Sequence, residues 1–268
     1  MDERPIGVFD SGVGGLTVAR EIMRQLPSEH MIYFGDTARV PYGNKSKETI
    51  IKYSRQIVRF LMTKNVKAIV VACNTATALA LQELQQENEI PIIGVIEPGA
   101  ITAAHTTETK NIGVIATEST IRSGMYTSFL RKLDPQITVV SKACPLFVPL
   151  VEEGWIEDRV TDEVIARYLH ELKDYEVDAL ILGCTHYPLL RNAIGRYMGE
   201  DVKLVNPAYE TAKSLKELLT GHDLLNTGLE RGHYSYYVSD GVDNFITFAD
   251  RVLPCDVKMT SLVNIESY

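Results

Sequence analysis

Ala68-Ile69-Val70-Val71-Ala72-Cys73-Asn74-Thr75-Ala76 runs from four apolar residues into a cysteine and then into small polar residues. A second stretch echoes it: Ala179-Leu180-Ile181-Leu182-Gly183-Cys184-Thr185-His186-Tyr187. Each short, uninterrupted apolar run reads as a strand buried on both faces, the signature of a parallel sheet, with a helix starting just after the cysteine. In an open α/β sheet, ligands bind where strands end and helices begin. Two such ends, each with a thiol, predict one site approached from two sides by two cysteines.

Working outward, Ile6-Gly7-Val8-Phe9 is a first strand ending in Asp10-Ser11-Gly12-Val13-Gly14-Gly15-Leu16. The glycines allow a tight turn with free backbone N–H groups. This is not the dinucleotide fingerprint, because Thr17 stands where its third glycine belongs. A helix over 16–25, a strand at Met31–Gly35 and a rigid Pro41-Tyr42-Gly43-Asn44 loop follow. Ser46 caps a helix carrying Ile50, Ile57, Val58 and Leu61 on one side. After the Cys73 strand and its helix, a strand over 92–96 is broken by Glu97-Pro98-Gly99.

Beyond that break the pattern restarts. Ile112-Gly113-Val114-Ile115-Ala116-Thr117 matches Ile6-Gly7-Val8-Phe9-Asp10-Ser11, and the two cysteine strands match at nearly the same separation. Two related halves of strand–helix units account for this order. In the second half, Thr117-Glu118-Ser119-Thr120 is a hydroxyl-rich strand end capping a helix over 121–133. A strand over 137–140, a short helical excursion over 146–155 with Trp155 in the core, and an amphipathic helix over 160–172 are expected next. Lys203-Leu204-Val205-Asn206-Pro207 mirrors the earlier break. The expected fold is α/β: two related halves of strand–helix units with mainly parallel sheets. The expected domains are 1–97 plus 207–268, and 98–206. The last part reads as a helix over 209–219, a polar link over 221–232, a strand over 234–239 and a final helix.

A chain of 268 residues can hold two such cores. No apolar run approaches the roughly 18–20 residues of a membrane helix, and Met1-Asp2-Glu3-Arg4-Pro5 has no signal-type apolar region. A cytoplasmic protein without membrane association is expected. A net charge of −8 argues against nucleic acid as a partner. The four cysteines form no Cys-x-x-Cys pair or metal-type cluster, so neither a disulfide framework nor a bound metal is expected. Cys144 and Cys255 read as inert buried thiols.

A helix N-terminus favours thiolate, and Cys73 and Cys184 both stand where one would act. A lone thiol with a histidine base would suggest covalent hydrolysis. Here His186 lies beside Cys184 and Cys73 has no such neighbour, so two thiols fit better as the two bases of a racemase or epimerase working without a cofactor. One removes a proton from a tetrahedral carbon, and the other delivers one to the opposite face. Helix starts with Ser11, Asn74, Thr75, Thr117 and Thr185 suit carboxylates. Asp10 suits an ammonium group or the tuning of Cys73, or is a plain helix cap. His186 suits assistance of Cys184 near neutral pH.

At these residues the sequence resembles a known family. Phe9-Asp10-Ser11-Gly12-x-Gly14-Gly15-Leu16-Thr17, Pro41-Tyr42-Gly43, Val71-Ala72-Cys73-Asn74-Thr75-Ala76 and Leu182-Gly183-Cys184-Thr185-His186-Tyr187-Pro188-Leu189-Leu190 resemble the signatures of the cofactor-independent glutamate racemases, over roughly residues 5–220. The resemblance implies two pseudosymmetric open α/β domains with the site in the cleft between them, and interconversion of L- and D-glutamate for bacterial peptidoglycan, with Cys73 taking the α-proton of D-glutamate and Cys184 that of L-glutamate. It implies support of Cys73 by Asp10 and of Cys184 by His186. Substrate contacts would come from Asp10, Ser11, Pro41, Tyr42, Gly43, Asn74, Thr75, Thr117, Thr120, Thr185 and His186, with Asp36 and Glu152 as further acids near the cleft. A homodimer is the family expectation. Ala116 departs from the glycine usual before Thr117. Two other readings stay open: an aspartate racemase or other cysteine-pair isomerase, and a phosphate- or nucleotide-binding module, which the absence of a P-loop lysine disfavours.

Overall fold

In the computed structural model, which describes residues 2–268, the chain alternates strand and helix and builds two sheets whose pairings are all parallel. The first half runs β1 (Ile6–Asp10), α1 (Leu16–Gln25), β2 (Met31–Gly35), α2 (Lys47–Met62), β3 (Ala68–Val71), α3 (Asn74–Glu87), β4 (Ile92–Gly94). The second runs α4 (Ile96–Thr106), β5 (Asn111–Ala116), α5 (Glu118–Ser123), α6 (Met125–Leu133), β6 (Thr138–Ala143), α7 (Phe147–Glu152), α8 (Arg159–Asp174), β7 (Ala179–Gly183), α9 (Arg191–Met198), β8 (Lys203–Val205). The chain closes with α10 (Pro207–Gly221), β9 (Tyr234–Val238), α11 (Val242–Val252) and β10 (Ser261–Leu262).

The six-stranded sheet has the order β10-β9-β2-β1-β3-β4, and the four-stranded one β6-β5-β7-β8. Substituting β5–β8 for β1–β4 turns the core of the first order into the second, so the internal repeat is a repeat of topology. In each sheet the chain leaves the central strand first to one side and then to the other. That reversal opens a crevice at the strands' carboxyl ends, where Asp10, Cys73, Thr117 and Cys184 lie.

Every residue of β1, β2, β3 and β7 is buried, as expected of parallel strands covered by helices on both faces. Phe9, Ile69 and Val71 pack with Phe60 and Leu61 of α2 on one face of the first sheet. Val114 and Ile181 pack with Ile96, Ala100 and Leu130 on one face of the second. Truncating one of these side chains to alanine costs about 2–5 kcal/mol.

Several elements differ from the expectation. Ser46 does cap α2, its Oγ accepting from Thr49 N–H at 3.3 Å. Glu97-Pro98-Gly99, however, is no break: it lies in the first turn of α4, where a proline forfeits no intrahelical bond. The helix expected over 121–133 is two helices, α5 and α6, hinged at Gly124 with φ +66°. Trp155 is 48% exposed instead of in the core. The final residues add two strands to the first sheet rather than one.

Candidate active site

The two sheets' carboxyl ends enclose a cavity of about 440 Å³, within the range of small-molecule sites. Cys73 and Cys184 both line it, with Ser11, Pro41, Tyr42, Gly43, Asn74, Thr75, Thr117, Glu152, Thr185 and His186. Three of the expected residues stand behind the wall. Thr120 hydrogen-bonds the hydroxyls of Thr117 (3.0 Å) and Thr75 (3.3 Å). Asp10 is fully buried below the glycine turn, its Oδ2 accepting from Gly12 N–H at 3.0 Å. Asp36 is fully buried beneath the 37–44 loop.

Cys73 is the N-cap of α3. Its sulfur accepts from Ala76 N–H at 3.5 Å and lies 3.6 Å from Ser11 Oγ, to which the thiol donates. The helix start was expected to favour the thiolate, but burial and then the charge of Asp10 prevail and push the pKa up to about 12. The hydrogen bonds with Ala76 and Ser11 only partly oppose them. Cys73 therefore stands as a thiol near neutral pH.

Cys184 differs. No helix begins at it; the chain first makes a 3-10 turn over Tyr187–Leu190, so the expected helix-start geometry is absent here. Its partner is His186, whose Nδ1 is 3.8 Å from Cys184 Sγ and whose Nε2 is 3.0 Å from Glu152 Oε1. Burial drags the His186 pKa down, but the hydrogen bonds with Cys184 and Glu152 outweigh it and lift it to about 10. A protonated imidazole donates from both nitrogens, to the Cys184 sulfur on one side and the Glu152 carboxyl on the other.

Asp10 Oδ1 has no hydrogen-bond partner. Burial raises this carboxyl's pKa, against the His186 charge and the N–H groups of Gly15, Gly12 and Ser11. An orphaned, buried acceptor is costly to maintain, which marks Asp10 as a constrained position behind the cavity.

Five hydrogen bonds join the two halves around the cavity. Thr17 Oγ1 donates to Thr185 O (2.9 Å), Ser119 Oγ to Gly43 O (2.6 Å) and Tyr126 Oη to Asn74 Oδ1 (2.7 Å), and the Thr75 hydroxyl meets those of Thr117 (2.9 Å) and Thr120 (3.3 Å). With its carbonyl so held, the Asn74 amide can turn its N–H donors to a ligand carboxylate.

Sequence reasoning missed part of the lining. Asn44 and Glu118 directly follow residues that were singled out, so neighbourhood alone could have found them. Pro145, Val148 and Pro149 give the cavity an apolar wall, and no motif marks them. Among the described residues, no group of three or more His, Cys, Asp and Glu side chains converges to hold a metal ion, and no helix is long and apolar enough to cross a membrane.

Residues 6–215 match the family model described as Asp/Glu/Hydantoin racemase. A glutamate racemase of Geobacter metallireducens is 53% identical over 253 residues, 94% of each chain. Among solved structures, a glutamate racemase isoform from Bacillus anthracis superposes with a TM-score of 0.95 at 41% identity, over 98% of each chain. A glutamate racemase from Francisella tularensis, solved in complex with D-glutamate, does so with a TM-score of 0.93 at 41% identity over the whole of both chains.

Proposed function

The chain belongs to the Asp/Glu/hydantoin racemase family, as a glutamate racemase, and from that premise we propose that it inverts glutamate by direct proton transfer between Cys73 and Cys184, with no cofactor. The observation that carries this reading is that two thiols line one cavity from the ends of two different sheets, Cys73 held as a thiol and Cys184 beside the His186 imidazolium. With L-glutamate bound, Cys184 is the base. The Cys184 thiolate takes the α-proton and becomes a thiol. The electron pair left on Cα delocalises into the α-carboxylate. Cys73 gives its proton to the opposite face and becomes a thiolate, so D-glutamate leaves an enzyme poised to run the reverse reaction.

An α-proton is weakly acidic, so the negative charge moving onto the carboxylate must meet donors already aimed at it. The start of α3 with Asn74 and Thr75, and the hydroxyls of Thr117 and Thr185, supply donors without the cost of reorganisation. Asp10, behind the cavity wall, acts on the substrate only through Cys73, whose thiol burial and the Asp10 charge together keep protonated. On the other side His186, hydrogen-bonded to Glu152, supports Cys184 as the base.

The discontinuous domain division 1–97 plus 207–268 against 98–206 and a cytoplasmic location, which rest on the sequence reading, belong to the same proposal, with a homodimer and supply of D-glutamate to peptidoglycan, which rest on the resemblance. The test is incubation in D2O with either enantiomer, followed by circular dichroism and proton NMR. Loss of optical activity from both, with deuterium entering Cα, is expected. Cys73→Ser and Cys184→Ser should each abolish turnover, leaving any exchange confined to one enantiomer. Glutamate that keeps both its optical activity and its α-hydrogen would sink the proposal.

A further inference from the structure

One wall of the cavity, Val40 to Asn44, belongs to a loop with only short 3-10 turns of its own. What fixes it lies outside the cavity. Asp36, fully buried, accepts hydrogen bonds from Arg39 Nε (2.8 Å), from Ser239 Oγ (2.9 Å) and from the Tyr42 hydroxyl. The Arg39 side chain is 8% exposed. Its Nη1 donates to Gln56 Oε1 at 2.6 Å and to Glu266 Oε1 at 3.0 Å, while its face lies 4.0 Å over the Tyr53 ring. Gln56 Nε2 in turn donates to Glu266 Oε2 at 3.2 Å. A single guanidinium thus joins the loop, α2 and a residue 227 positions further along the chain.

We propose that Arg39 is a positioning residue for glutamate, clamped by Glu266, that fixes the Tyr42 end of the substrate-lining loop from behind. The inference rests on the reading of this cavity as the glutamate site. Only a planar fork can donate in the plane to Asp36, Gln56 and Glu266 while stacking on Tyr53. Tyr42 then has one place to go: its hydroxyl meets Asp36 and its ring lies 5.8 Å from that of Tyr53. The next residue is tied across the cleft, Ser119 Oγ donating to Gly43 O. Glu266 is itself 59% exposed, so it can be changed without opening the core.

Arg39→Lys keeps the charge beside Asp36 and loses the fork; Glu266→Ala loses the clamp; Glu266→Gln keeps an acceptor for Arg39. Steady-state racemisation of both enantiomers and hydrogen-exchange mass spectrometry of residues 37–45 read the outcome. Arg39→Lys is expected to raise KM about tenfold for both enantiomers with kcat nearly unchanged. Glu266→Ala should raise KM a few-fold, and Glu266→Gln should recover most of that. Exchange should quicken in 37–45 and not elsewhere. If Arg39→Lys fails to fold, the Glu266 pair decides. Unchanged KM and unchanged loop exchange in Glu266→Ala overturn the proposal, as does faster exchange over the whole chain. A wild-type protein inert toward glutamate would sink the substrate reading instead, while the exchange measurement still reports on the clamp.

Discussion

Asp10 and His186 are both buried polar side chains near a thiol, and burial costs both, but only His186 has partners enough to offset it. The Asp10 carboxyl is raised by burial, so the native state binds its proton more tightly than the unfolded chain does. Ionising it at neutral pH therefore subtracts from stability, and the penalty fades as the pH falls toward the ordinary carboxylate value of 3.8. Asp10→Asn should raise the melting temperature near pH 7.5 by a few degrees, by less near pH 4, and cut kcat by orders of magnitude. Parallel calorimetry and activity assays check this, and a variant that loses stability at pH 7.5 contradicts it. His186 runs the other way. Its stabilising proton is fully in place below its unfolded value of 6.5 and is lost as the pH rises through about 10. Glu152→Gln removes one of the groups that lift it, so the alkaline limb of kcat/KM for L-glutamate should move to lower pH. An unmoved limb would separate Glu152 from Cys184.

At the scale of elements, the glycine turn between β1 and α1 is fitted to the opposite half of the molecule. A methyl group on Gly14 would overlap Thr185 Oγ1 and the His186 ring. Gly14→Ala should therefore preserve the far-UV spectrum and the melting transition of both sheets while lowering kcat by at least about a hundredfold. Near-normal turnover would show that the halves need not approach so closely. Most elements were legible in the sequence because their signals are local. Ile69-Val70-Val71 and Leu180-Ile181-Leu182 are apolar on both faces, and Ser46 and Thr117 mark helix starts. Misreadings occurred where position within an element decides the outcome. Pro98 reads as a breaker yet is harmless in a first turn, while Gly124 passes for helix interior yet divides the helix in two. The candidate site was legible where a residue sits on a strand end. The Arg39 clamp and the Pro145–Pro149 wall are brought there by tertiary packing, which no short motif encodes. The protonation of Cys73 was misread for the same reason, since the helix start is visible in the sequence and the burial that overrides it is not.

Taken whole, the molecule repeats one sheet order twice around a shared cleft, and the repeat was visible in two aligned segments before either sheet was known. What the repeat does not predict is the asymmetry of the halves: one has four strands, while the other borrows β9 and β10 from the chain's far end. β2 runs Met31-Ile32-Tyr33-Phe34-Gly35, all buried, and pairs along its full length with β9. During synthesis β2 emerges some two hundred residues before that partner, whereas β5–β8 follow one another in a single stretch. The later half of the repeat can thus assemble while the earlier one still exposes an apolar, unpaired edge, the kind of surface that recruits other chains. A fragment ending at Gly221 should accordingly aggregate on expression, and co-expressing residues 222–268 should return it to solution. A monodisperse fragment would mean that the edge is protected by other means. If the fragment aggregates and is rescued, residues 222–268 serve as the chain's own chaperone, arriving last to cover what was made first.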